Sequence, residues 1–252
     1  MLELAVTPEA LVAFVLAMVR TVAWLTTSPP FNAAVMQPRI RVALAVALGF
    51  LMSVHVPPGE VGLGFGDLLI ATGYQVFVGV SLGFIVRLYF AAFEAAGAVI
   101  DFTSGLSIGA VYDPLTGNQN APIARFYGLI AAVLLFASGG HLVILSGYLR
   151  SFQAAPLGGP SLEQLGFRLL EGLGIFFVAA LEIALPIAGV LVVTEIGLAL
   201  LARAAPQANV LMLGLTVKAL VLVLMLTTAI SVLPWAAENL ADQATRAAYG
   251  LW

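Results

Sequence analysis

Apolar residues run along this chain in long unbroken blocks rather than in one-faced or alternating patterns. The blocks cover roughly residues 9–27, 40–56, 67–111, 123–149, 164–204 and 210–233. They are apolar all round, whereas the strands of a membrane barrel alternate, so the pattern predicts helices. A hydrocarbon layer of ~30 Å needs about 20 helical residues, so the first, second, fourth and sixth blocks predict one helix each. The third and fifth exceed roughly forty residues, or ~60 Å as a straight helix. Each reads as two helices, or as one kinked helix rising past the bilayer. Arg87 and Pro186 are the candidate break points, since proline removes a backbone donor and clashes within a helix.

Turn chemistry separates the blocks: Ser28-Pro29-Pro30, Pro57-Pro58-Gly59, Asp113-Pro114 through Pro122, and Pro156 through Pro160. No stretch resembles a flexible linker, so the chain reads as a single all-α domain over residues 1–252. It closes with a short, mildly amphipathic helix at about 236–249, where Asp242 and Arg246 form an i, i+4 pair flanked by Trp235 and Trp252. Glu3 and Glu9 stand where a secretory signal carries basic residues, so the first helix is expected to be retained.

Composition sharpens this picture. Hydrophobic residues make up 62% of the chain and charged residues 9%, against roughly 25% charged in a soluble domain. That excludes a soluble monomer, because the apolar excess must face lipid or another protein. Lys218 is the single lysine and no basic run exists, so nucleic acid has no electrostatic footprint here. There is no cysteine. The two histidines, His55 and His141, lie in different blocks without a second ligand at metal spacing, and no catalytic motif is present. The chain therefore reads as neither an enzyme nor a cofactor protein. A small-solute transporter is the rival from composition alone, but the internal repeat such folds carry is not evident.

The informative polar residues stand inside the apolar blocks. Arg87, Glu94 and Asp101 are spaced by seven, which on a continuous helix places them on one face. A charge in hydrocarbon costs on the order of 3 kcal/mol or more, so this stripe predicts a polar seam facing protein or water, read equally as a hydrated conduit or intersubunit seam and as an internal salt-bridge set. Arg20, Glu182, Glu195 and Lys218 are further intrahelical charges. Together they predict a chain surrounded mainly by other protein. Gly79/Gly83 and Gly105/Gly109 form G-x-x-x-G pairs, read first as packing within the chain. Basic residues give little topology beyond Arg39 and Arg41 on the first connection, which suggest its cytoplasmic side.

Several segments, in order, resemble one family. They are the early SPPF…QPRIRVALAVAL, the stretch AVIDFTSGLSIGAVYDPLTGNQNAPIAR from Ala98 to Arg125, SGGH at 138–141, the stretch from Ser151-Phe152 to Pro156, and LLARAAPQANVLMLGLTVK ending at Lys218. Together they resemble the FliR family of the flagellar type III export apparatus, whose injectisome relatives are called SctT. The DPLTG form leans to the flagellar branch. The resemblance implies an all-α subunit in a helical, pseudo-symmetric gate with FliP-like and FliQ-like subunits. FlhB-like and FlhA-like proteins would associate with that core, in the bacterial inner membrane at the flagellar basal body. Unfolded polypeptides would be its cargo and no cofactor is implied. It also implies a hydrophobic plug formed by Ile108 and Val111 with Tyr112 adjacent, where relatives often carry phenylalanine, on a loop hinged at Gly105, Gly109 and Gly117. A narrow apolar constriction dewets and so stops ions without a charged lock. The element Arg203, Pro206, Gln207 and Asn209, followed by Lys218, is expected to shape a helix junction, with Pro206 ending one helix and Asn209 capping the next.

Overall fold

The computed structural model describes residues 7–32, 37–53, 62–107, 121–157, 162–207 and 209–249. Among these residues the chain forms helices and no strands. They are α1 (Pro8–Thr27), α2 (Pro29–Asn32), α3 (Pro38–Ser53), α4 (Phe65–Ser104), α5 (Pro122–Ala137), α6 (Gly140–Ala154), α7 (Leu162–Ala204) and α8 (Val210–Tyr249). Proline opens α1, α2, α3 and α5, where its missing N–H lacks a helical partner anyway and its fixed φ suits the first turn. Thr7 adds a side-chain cap to α1, accepting from Ala10 N at 3.3 Å.

Two boundaries differ from the sequence reading, and two points that it left open, whether the third and fifth blocks are one helix or two, resolve as one helix each. The third block is one helix of 40 residues, α4, with no break at Arg87. The fifth is one helix of 43 residues with Pro186 inside it. Proline removes a single ladder bond, and in an apolar setting the turns on either side have no better option than to remain helical. The same holds at Pro234, so residues 236–249 continue α8. Conversely, the fourth block is two helices, parted at Ser138-Gly139. Gly139 has φ +76°, a backbone that L side chains rarely adopt.

The chain divides into two compact units. One holds Met1–Tyr89, Gly139–Gly174 and Ala241–Trp252; the other holds Phe90–Ser138 and Ile175–Leu240. In the first unit α1 is the shared partner. Its buried side runs through Ala13, Leu16, Ala17, Arg20 and Trp24, spaced by three and four as one helix face requires. Gly49 of α3 lets that helix approach Met18, where an added Cβ would lie 3.1 Å from the backbone. Gly79 and Gly83 of α4 face α1 in the same way: a Cβ would stand 2.5 Å from Arg20 O at the first and 2.9 Å from Trp24 O at the second. This G-x-x-x-G pair therefore serves packing within the chain. Trp24 stacks on Tyr148 of α6 with centroids 4.2 Å apart, a contact worth ~1 kcal/mol beyond the area it buries.

The second unit contains two antiparallel pairings. The end of α4 lies along the start of α5, where Gly128 meets Glu94 and Gly97 meets Ala124. Near the turn after residue 204, Gly214 of α8 contacts Leu198 of α7.

Candidate functional site

The densest polar geometry of the second unit surrounds the end of α4 and the start of α5. A helix start leaves its first N–H groups without helical partners. In α5 the capping position is Ala121, which has no side-chain acceptor. Pro122 has no N–H to satisfy. The next two N–H groups are taken by one carboxylate from another helix: Asp101 Oδ1 accepts from Ile123 N at 3.1 Å and Oδ2 from Ala124 N at 2.9 Å. Asp101 is 1% exposed, and among the described residues its carboxylate meets the positive end of a helix dipole rather than a counter-ion. Gly97, one turn earlier, is what permits this approach. A Cβ there would collide with Ala124 Cα and stand 2.7 Å from both Ala124 N and Ile123 O.

The end of α4 is closed with equal care. Gly105 has φ +85°, the usual reversal after a helix C-terminus. Its N–H donates to Phe102 O at 3.2 Å, and Ser107 N donates to Asp101 O at 3.3 Å. Thr103 O accepts from Lys218 Nζ at 3.3 Å. The same ammonium lies 3.2 Å from Glu195 Oε2. A cation thus meets the negative end of α4 while an anion meets the positive end of α5. The two helix ends flanking residues 108–120 are each held by an ionised side chain supplied from elsewhere in the unit.

The residues singled out in the sequence regroup accordingly. Asp101 belongs to this cluster. Glu94 and Arg87 are exposed on α4, and Arg87 falls in the other unit. Lys218 stands beside Asp101's helix end rather than at the 203–209 junction. At that junction Arg203 occupies the last turn of α7, and Pro206 and Gln207 form an exposed turn. Asn209 Oδ1 accepts from Met212 N at 3.4 Å in the N-cap geometry of α8. Ile108, Gly109, Val111, Tyr112 and Gly117 lie outside the described residues. Among the described residues no three His, Asp or Glu side chains converge as metal ligands.

A second polar node, in the first unit, escaped the sequence reading beyond its central residue. Arg20 is completely buried. Its Nε donates to Gln75 Oε1 at 2.6 Å, and its two terminal nitrogens donate to Ala155 O at 2.6 Å and Ser151 O at 3.4 Å. The guanidinium also lies 4.2 Å from the centroid of the Phe152 ring. Gln75 passes the restraint on by donating to Leu157 O at 3.1 Å. Among the described residues no carboxylate pairs with Arg20. Neutral carbonyls at the negative end of α6 and a ring face solvate the charge instead. A Gln on an apolar helix was the only sequence signal for this partner, and it is a weak one.

Both nodes sit on helices built for a membrane. Pro8–Thr27, Phe65–Ser104, Leu169–Ala204 and Met212–Ser231 are each long and apolar enough to cross a bilayer. The fold is thus that of an all-α membrane protein, with buried charges serving helix ends. Residues 11–244 match the family described as "Bacterial export proteins, family 1". The chain belongs to this family, and within it to the FliR group. It is 29% identical over 223 residues to the flagellar biosynthetic protein FliR of Pectobacterium carotovorum, covering 88% of this chain and 85% of that one. Against FliR of Bacillus subtilis it is 30% identical, covering 88% and 87%. The surface presentation of antigens protein SpaR of Shigella flexneri is 32% identical over 200 residues, covering 76% of this chain and 75% of that one.

Proposed function

We propose that this chain is a core subunit of the flagellar type III protein export gate in the bacterial inner membrane. It acts there with FliP-like and FliQ-like subunits, and with FlhB-like and FlhA-like proteins, to pass unfolded flagellar polypeptides. The observation that carries the reading is the family match along residues 11–244, supported by relatives named for flagellar biosynthesis. Exposed apolar helices favour a chain that completes itself against other subunits. The work required is passage and sealing, so no cofactor or catalytic group enters. The seal is assigned to Ile108 and Val111, with Tyr112, on the segment that follows Gly105.

Deleting the gene should abolish motility and the secretion of flagellar proteins, and supplying this chain in trans should restore both. Normal secretion in the deletion strain would sink the reading. Replacing Ile108 and Val111 together with serine should raise membrane permeability to ions and small dyes; wild-type permeability would remove the plug assignment. The match to SpaR supports a second reading, a gate of the virulence type. Loss of a non-flagellar set of secreted proteins, with motility intact, would decide for it.

A further inference from the structure

Glu182 is a charged residue that neither polar node uses. It lies near the middle of the apolar stretch Leu169–Ala204. Its side chain is exposed and has no partner among the described residues. Phe177 (62% exposed), Val178 (56%), Leu181 (51%) and Leu185 (58%) surround it on α7. Lipid is a poor neighbour for this spot, because a carboxylate at such a position costs on the order of 3 kcal/mol. A second unmet acceptor lies beside the first. Pro186 is four residues further along the same helix, so the Glu182 carbonyl has lost the N–H that would have bonded to it. One residue therefore combines an exposed carboxylate with a carbonyl that lacks its usual helical donor.

The surface around it favours one kind of occupant. Val178, Glu182, Pro186, Gly189 and Val193 recur at intervals of three and four, which is one helix face, and all five are exposed. At Gly189 no atom of the described residues lies within 4 Å of where a Cβ would stand. At Gly97, by contrast, a Cβ would collide with this chain's own backbone. Glycine inside a helix costs about 0.5–1 kcal/mol relative to alanine, and at Gly189 none of the described residues makes use of the space it leaves. A neighbouring helix approaching closely from outside would use it. The pair of acceptors specifies what that helix should carry: a cationic donor, an ammonium or a guanidinium, able to reach carboxylate and carbonyl together.

We propose that the Val178–Glu182–Pro186–Gly189–Val193 face of α7 seats a membrane-spanning helix of a different subunit, one that presents Lys or Arg to Glu182. This inference rests on the reading of the chain as a subunit of a multi-subunit export apparatus.

Two measurements on the full chain, in cells that carry the rest of the apparatus, test it. A photo-crosslinking amino acid placed at Val178 or Val193 should yield an adduct with another export subunit. The adduct peptide should be an apolar span with Lys or Arg within one turn of the linked residue. Glu182→Leu should lower adduct yield by about tenfold or more, since an unpaired cation would remain in the interface. Reversing the pair, with Glu182→Lys here and Glu at the partner's cation, should restore it. Because Glu182 is exposed, Glu182→Leu and the milder Glu182→Gln should leave the chain's membrane abundance unchanged, and immunoblotting checks this. Adducts with lipid alone or with a second copy of this chain overturn the proposal. So does labelling of Glu182→Cys by a membrane-impermeant maleimide, which would mean a water-lined face. If the complex co-purifies while Glu182→Leu leaves the adduct intact, this inference fails and the export-gate reading stands. If no export subunit co-purifies with the wild-type chain, the export-gate reading fails and takes this one with it.

Discussion

Single side chains here do work that is usually left to caps local in sequence. Asp101 serves two N–H groups that lie 22 and 23 residues away, and Arg20 serves carbonyls 131 and 135 residues away. Asp101→Asn keeps the shape but turns an amide NH2 towards one donor and removes the charge from a helix N-terminus. The expected loss is about 2 kcal/mol. It should be read as a lowered melting temperature of the purified complex; a melting curve matching wild type would remove the capping role. The sequence made these residues conspicuous as charges in apolar helices but did not say whom they meet. The seven-residue spacing grouped Asp101 with Arg87 and Glu94, because periodicity speaks only about one helix. Asp101's actual partners lie across a segment with no period at all. Lys218 was grouped with the nearby junction for the same reason, although its ammonium reaches Thr103 O.

Among the elements, long helices were legible because every block is apolar on all sides over a run of several helical turns. Their ends were legible where Pro8, Pro38 and Pro122 stand. What was not legible is the weight of a proline or a glycine in the middle. Pro186 and Pro234 leave their helices unbroken, while Gly139 in the left-handed region parts α5 from α6. Glycines also divide by what faces them, which no sequence pattern states. Gly97→Ala should force α5 away from α4 and undo the Asp101 contacts, lowering the yield of folded chain severalfold. Gly73→Ala, where no described atom lies within 4 Å of the added Cβ, should in the same assay leave that yield at wild type or raise it, since the helix gains about 0.5–1 kcal/mol. Equal yields for the two variants would contradict the packing described here. Asn209→Ala removes the α8 cap and should cost about 1 kcal/mol. Reduced recovery of the assembled complex is the expected outcome, and unchanged recovery would show that the cap is dispensable.

At the scale of the whole molecule, the chain exposes apolar surface that it cannot itself cover. Within the Met212–Ser231 stretch of α8 only 6% of the window is buried. Expressed alone, the chain should be recovered from detergent as heterogeneous aggregates; co-expression with its FliP-like and FliQ-like partners should yield a single species in size-exclusion chromatography. A monodisperse solitary chain would argue against obligate assembly. Composition already demanded such cover, and the fold identifies α7 and α8 as the helices that most need it.

Arg20 also sets a schedule for the newborn chain. α1 leaves the ribosome well before α6, yet the carbonyls that solvate its guanidinium belong to residues 151 and 155. At ~5–20 residues per second, translation reaches them roughly 7–27 s after Arg20 itself has been made. Through that interval an unsheltered positive charge opposes the lateral release of α1 into lipid. α1 is thus made well before it can be fully seated, because its buried charge finds its carbonyl partners only once α6 has been translated.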